Sequence, residues 1–157
     1  MPQIDFTSGH TVPRVNMLIE HTSLTQVAST ILEAAGAPKL NADAVAFHLV
    51  EANLKGHDSH GVGMIPAYVR GMLDKQIDPS GGATVVKDSG AVVSIDAGTG
   101  LGRVVGFEAM DLGIERAKRF GIGCVALGNA AHLGRIGAFA ERCANNGLVS
   151  MHYVNVV

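Results

Sequence analysis

The chain has 157 residues, 47% hydrophobic and 17% charged, with a formal net charge of -2 and a mean hydropathy of +0.26. These values define a globular chain with apolar mass for one ordinary domain or two small ones, and they exclude a disordered polar tract. They also exclude a basic nucleic-acid surface or a membrane span: the longest basic stretch is Arg116 to Arg119, on an expected helix face, and no apolar run reaches bilayer length.

The first 77 residues read as helices. Thr22 or Ser23 caps a helix bearing Leu24, Val27, Ile31, Leu32 and Ala35, which Gly36 stops. A second begins at Asn41, carries Ala44, Val45, Leu49 and Ala52, and stops at Gly56. A third spans Val62 to Leu73 with an expected bend at Pro66. Apolar stripes at helical spacing predict that the three pack as a small unit.

The loop Asp78-Pro79-Ser80-Gly81-Gly82 then marks a domain boundary. Beyond it, Ala83 to Val86 and Ala91 to Ile95 read as a hairpin turned by Asp88-Ser89-Gly90. Gly102 to Phe120 is a long amphipathic helix, Ile122 to Leu127 a strand, Gly134 to Asn146 a helix ended by Gly147, and Leu148 to Val157 a strand. The last strand-helix-strand run predicts a parallel pair joined by a crossover. The fold class is therefore α/β, with a helical domain at 1–77 and the first part of a mixed-sheet domain at 78–157. A parallel sheet wants more neighbours than this, so the second domain is expected to be truncated. Cys124 and Cys143 lack metal or redox spacing and lie in apolar segments, which predicts buried free thiols. Met1 to Thr11 carries Asp5 and no apolar leader, which with the free thiols predicts a cytoplasmic protein.

The densest chemistry lies in Gly56-His57-Asp58-Ser59-His60-Gly61-Val62-Gly63. Imidazole exchanges protons near neutral pH, and glycine lets backbone approach a ligand. A second glycine-flanked imidazole follows in Ala131-His132-Leu133-Gly134. Two readings stand for His60 and His132: hydrogen-bonded turn residues, or bases toward a substrate hydroxyl. Gly134-Arg135-Ile136-Gly137 opens the next helix, where backbone N–H groups and the Arg135 charge suit an anion, unless Arg135 is simply a surface cation. The loop Gly98-Thr99-Gly100-Leu101-Gly102-Arg103 is not a dinucleotide fingerprint, because Arg103 stands where the sixth-position glycine belongs; a tight turn is its better reading. Ser59 lacks the Gly-x-Ser-x-Gly elbow of a hydrolase nucleophile.

The run Ala52 to Tyr68, with Asp58-Ser59-His60-Gly61 at its centre, resembles the signature of the malate/L-lactate (sulfolactate-type) dehydrogenase family. Gly100-Leu101-Gly102, Gly121-Ile122-Gly123 and His132-Leu133-Gly134 agree in order and spacing, so the resemblance runs from about Thr22 to Val157. It implies a non-Rossmann NAD(P)-binding domain, NAD or NADP as cofactor, hydride transfer between 2-hydroxy and 2-oxo acids, and a homodimer. It implies His132 as the catalytic acid/base, His60 at the boundary of cofactor and substrate, Ser59 and His132 at the substrate, and Gly134, Arg135 and Ile136 at the dinucleotide. Many relatives carry arginine where this chain has Met64, and methionine cannot grip a carboxylate bidentately; another arginine serves, or the substrate preference shifts toward bulkier or more apolar acids. Family members also continue well past this length, which predicts an incomplete enzyme. Two alternatives remain: a non-catalytic fragment that self-associates through an open sheet edge, and a metal-dependent hydrolase built on His57, Asp58, His60 and His132, to which His48 and His152 add further imidazoles.

Overall fold

The computed structural model describes residues 3–4, 11–12 and 18–155. Two short strands, β1 (Gln3–Ile4) and β2 (Thr11–Val12), pair antiparallel. Three helices follow: α1 (His21–Ala34), α2 (Lys39–Leu54) and α3 (Ile65–Leu73). Then come β3 (Thr84–Ser89), β4 (Val92–Asp96), α4 (Gly102–Phe120), β5 (Cys124–Gly128) and α5 (Gly137–Ala144). The result is a mixed α/β architecture in which helices precede a small mixed sheet.

Helix α1 begins earlier than its hydroxyl residues predict. The Glu20 carboxylate accepts the Ser23 N–H at 2.8 Å and the Thr22 hydroxyl, so a carboxylate serves as the cap. An anion there also suits the helix dipole. These hydrogen bonds, that of Thr22 foremost, hold the Glu20 carboxyl down at about 2. Helix α3 starts at Ile65 rather than Val62, so Pro66, where a bend was expected, falls in its first turn, where the missing N–H has no acceptor to lose. Two 3-10 turns, Asp58–His60 and Val62–Met64, lead into it.

The three helices enclose Ala28, Leu32, Ala42, Val45, Ala46, Leu49, Tyr68 and Met72, and Leu101 enters the same core from the start of α4. Leu32 and Leu49 are wholly removed from water, each contributing about 1.5–3 kcal/mol by burial. Small residues at Ala42, Ala46 and Ala52 let α2 approach its neighbours closely. Met64 packs half-buried against this core.

In the sheet, β3 and β4 form the expected hairpin, with Ser89 opposite Val92 and the turn at Gly90-Ala91, one residue beyond the expected loop. Strand β4 also pairs in parallel with β5 across α4, giving the order β3-β4-β5. Val93, Ile95 and Ala109 form a second core with Val125 and Leu127. The parallel pair thus comes one crossover earlier than predicted. Residues 148–155 form no strand: their apolar content is right, but a strand exists only through a neighbour's ladder, and no described strand lies beside them. Residues 156–157 lie outside the described set. Helix α5 starts at Gly137 rather than Gly134, because Gly134 takes a left-handed φ of +72° that no α-helix accommodates. Cys143 is buried as expected, whereas Cys124 opens an edge strand and is exposed.

Candidate active site

Helix α2 closes at Gly56, whose φ of +76° lets the His57 N–H reach back to the Ala52 carbonyl at 2.8 Å. That closure throws the chain off the helix into the turn bearing Ser59 and His60. Asn53 braces the turn from α2: its Nδ2 donates to Asp58 Oδ1 at 2.6 Å, and its Oδ1 accepts the Val62 N–H at 2.8 Å. Asp58 is therefore engaged in holding the loop. Ser59 Oγ lies 2.9 Å from His60 Nδ1.

His132 arrives on the loop between β5 and α5. The two imidazoles stack, with centroids 5.5 Å apart and planes 24° apart. Residues 72 positions apart in sequence are thus brought face to face. Tyr68, on α3, places its hydroxyl 2.8 Å from His132 Nδ1. The phenol is 3% exposed, and burial pushes it up to about 12, so it stays protonated through the physiological range. Burial, then the neighbouring His60 and Arg103 charges, push His132 below its ordinary value. The ring is therefore a neutral base near pH 7, with Nδ1 engaged and Nε2 free when Nδ1 carries the proton.

The expected anion site at the next turn is built differently. Arg135 is 6% exposed and donates to both Glu141 oxygens at 2.8 and 2.9 Å and to Glu51 at 3.4 Å. Lys55 joins the same carboxylates, 3.0 Å from Glu51 and 2.5 Å from Glu141. The Arg135 charge is thus matched inside the protein, and the network ties α2 to α5. Gly134, Arg135 and Ile136 stand on the loop before α5 rather than in the helix expected from Gly134. Asp96 to Gly100 forms a tight turn, with the Asp96 carboxylate accepting the Gly98 N–H at 2.8 Å.

Three residues at the site carry no role in the sequence reading: Tyr68, Asn53 and Arg103. Tyr68 stood within the resembling run, and its burial marks it as core. Arg103 was visible only as the residue that spoils a glycine fingerprint. Among the described residues, no group of three or more His, Cys, Asp or Glu side chains is gathered to hold a metal.

A groove of about 160 Å³ is lined by Gln76, Thr99, Asn129, Ala130 and Ala131, the last of these next to His132 in the chain.

Two stacked imidazoles, one from the turn after α2 and one from the loop between β5 and α5, mark the candidate site of this α/β fold. The chain belongs to the malate/L-lactate dehydrogenase family, whose sequence profile matches residues 19–157. It is 50% identical to hydroxycarboxylate dehydrogenase B of Escherichia coli over 122 residues, covering 78% of this chain and 34% of that protein. It is 35% identical to L-sulfolactate dehydrogenase of Methanocaldococcus jannaschii over 139 residues, covering 88% and 40%. The fold superposes on malate dehydrogenase from Pyrococcus horikoshii with a TM-score of 0.80 at 34% identity, covering 83% of this chain and 38% of the other. The chain spans between a third and two-fifths of the length of these relatives. Among the described residues, no helix is long and apolar enough to cross a membrane.

Proposed function

We propose that this chain supplies the proton-handling half of an NAD(P)-dependent oxidoreductase that interconverts 2-hydroxy and 2-oxo carboxylic acids. The observation that carries it is the stacked His60–His132 pair with Tyr68 on His132 Nδ1. The dinucleotide, NAD or NADP, supplies the hydride acceptor and donor when bound. The Tyr68 hydroxyl accepts a hydrogen bond from His132 Nδ1–H and fixes the ring, leaving Nε2 to take the substrate hydroxyl proton in oxidation. In reduction the same nitrogen returns it. His60 and Ser59 line the opposite wall, where an imidazole N–H and a hydroxyl suit a carboxylate. Gly134, Arg135 and Ile136 offer backbone to the dinucleotide. Residues 1–77 and 78–157 act as two units, and the cleft between them is the site.

The homologues' names support a 2-hydroxy acid as substrate class. A cytoplasmic homodimer completes this reading; Val27, Ile31 and Phe47 leave apolar surface on α1 and α2 for such contact. A second reading, a self-associating fragment without activity, draws on exposed Val149, Met151 and Tyr153. The test follows NADH and NADPH absorbance with a panel of 2-oxo acids, using the protein expressed in its complete reading frame. Loss of a general base costs roughly 10²- to 10⁴-fold, so His132→Ala is expected to fall by that factor. Wild-type turnover in H132A would remove the proposed base, and absence of any turnover in the wild type would favour the fragment.

A further inference from the structure

Arg103 is the largest side chain that the fold buries completely, at 1% exposure. Its Nη1 donates to the Arg135 carbonyl at 3.3 Å. Its Nε and Nη2 are closed off from solvent and have no hydrogen-bond partner among the described residues. Buried donors are nearly always matched, and an unmatched cation is costlier still. An apolar side chain of similar length would fill this space without that cost.

What surrounds the guanidinium gives its use. Gly134 lies directly over it: a Cβ there would sit 2.1 Å from Nε and 2.4 Å from Cζ and Nη2. The preceding residue, Gly102, meets the same loop from below, where a Cβ would fall 2.2 Å from the Ala131 carbonyl oxygen and 2.4 Å from that of His132. One helical turn on, Gly106 meets the Phe139 ring of α5, where a Cβ would fall 2.7 Å from Cζ, and then Leu133 at 3.4 Å. The Ala131 N–H donates to the Gly100 carbonyl at 3.1 Å. Gly102, Arg103 and Gly106 thus form a bed on α4 for residues 131–135, with His132 in the middle of the bedded segment.

We propose that Arg103 is the positioning residue for His132: its guanidinium seats the Gly134 turn and stands behind the imidazole as a positive charge with no carboxylate bound to it. Tyr68, from α3, and His60, from the turn after α2, contact the His132 ring, and Arg103, from α4, acts on it by its charge from under the Gly134 turn. Arg135, on the ring's own loop, is matched by Glu141 and Glu51 and adds little net field. Tyr68 is neutral, so the field at the ring comes from Arg103 and from His60 when protonated. Both disfavour imidazolium, in the same direction as burial. Any effect on turnover rests on the dehydrogenase reading; the seating of the loop and the titration of the ring do not.

The test is an NMR titration of the histidine rings in the purified protein and in Arg103→Gln and Arg103→Lys, with the His132 signal assigned by its loss in His132→Gln. In R103Q the His132 midpoint is expected to rise by about half a pH unit or more as the charge is removed. In R103K the midpoint stays low because the charge is kept, while amide exchange at residues 133–135 quickens about tenfold, because an ammonium cannot span the guanidinium's contacts. An unchanged midpoint in folded R103Q overturns the electrostatic half, and unchanged exchange in R103K overturns the seating half. If R103Q does not fold, R103K decides: fast exchange with a low midpoint supports the proposal, and wild-type exchange ends it. Where turnover is measurable, the acid limb for hydroxy-acid oxidation moves to higher pH in R103Q and stays in place in R103K. A wild type without turnover would count against the dehydrogenase reading and leave the ring titration to judge Arg103.

Discussion

The close approach at Gly102 makes a quantitative demand. An added Cβ would lie 2.2 Å from the Ala131 carbonyl oxygen and 2.6 Å from the His132 carbonyl carbon. Ordinary carbon–oxygen contact begins near about 3.3 Å, so the loop must retreat by about 1 Å in Gly102→Ala. The obstructing atoms are backbone, which cannot rotate away. Overpacking of this kind costs about 1–3 kcal/mol, and replacing glycine by alanine at the start of α4 recovers about 0.5–1 kcal/mol. The net loss is about 1–2 kcal/mol, or a fall in melting temperature of about 2–8 °C for a chain of this size. The larger effect falls on the site, because the displaced segment carries His132; a 1 Å misplacement of a catalytic group costs up to about 10²-fold in rate. Gly63→Ala is the control, since nothing lies within 4 Å of its added Cβ. Thermal melts and the His132 ring resonances of both variants provide the assay. A G102A protein with the melting temperature and His132 shifts of the wild type would refute the close-approach argument.

Tyr68→Phe keeps the buried ring and removes the 2.8 Å hydrogen bond to His132 Nδ1. It should cost about 0.5–1.5 kcal/mol in stability and lower kcat more than it changes KM; an unchanged kcat would show that the phenol does not orient the base. Glu141 is held down at about 2 by hydrogen bonds from Arg135 and then Lys55. A carboxyl with a lowered folded value adds stability that is complete above the ordinary value of 4.5 and is lost as pH falls through about 2. Glu141→Gln should therefore melt below the wild type at neutral pH, with the gap closing across that acid window. A gap independent of pH would mean that the ion network contributes through packing alone.

Local signals in the sequence anticipate the elements whose limits are local. Gly56 and Gly121 stop α2 and α4 where expected, because a left-handed residue ends a helix by its own conformation. The start of α1 was misread because Glu20 is an uncommon cap and the hydroxyl residues beside it compete for that role. Residues 148–155 show the opposite problem: their pattern is a strand's, but pairing depends on a distant segment. At the site, both imidazoles announce themselves by their glycine-rich settings. The bond from Tyr68 to His132 spans 64 positions and has no local trace. Arg103 is harder still, since one arginine after a glycine turn looks the same whether it is exposed or sealed beneath a loop.

The distribution of charge bears on the direction in which the proposed chemistry is helped. The site's carboxylates, Glu51 and Glu141, are bound to Arg135 and Lys55 on the α2–α5 side. The imidazole side holds Arg103 with no carboxylate in contact, next to His60 and His132. Under the proposed reading, a carboxylate substrate beside the two imidazoles would meet that charge in either direction of the reaction. The same field lowers the proton affinity of His132, so its neutral form persists to lower pH and its imidazolium is the stronger acid. A stronger acid delivers its proton more readily to a developing alkoxide, the step that 2-oxo acid reduction requires. Oxidation draws on the complementary benefit, a base already unprotonated at neutral pH, while accepting the proton against the field. Near pH 7 the ring is already neutral, so in the proposed chemistry the oxidative direction finds its base ready, whereas the reductive direction must first load the ring with a proton and is expected to gain as pH falls.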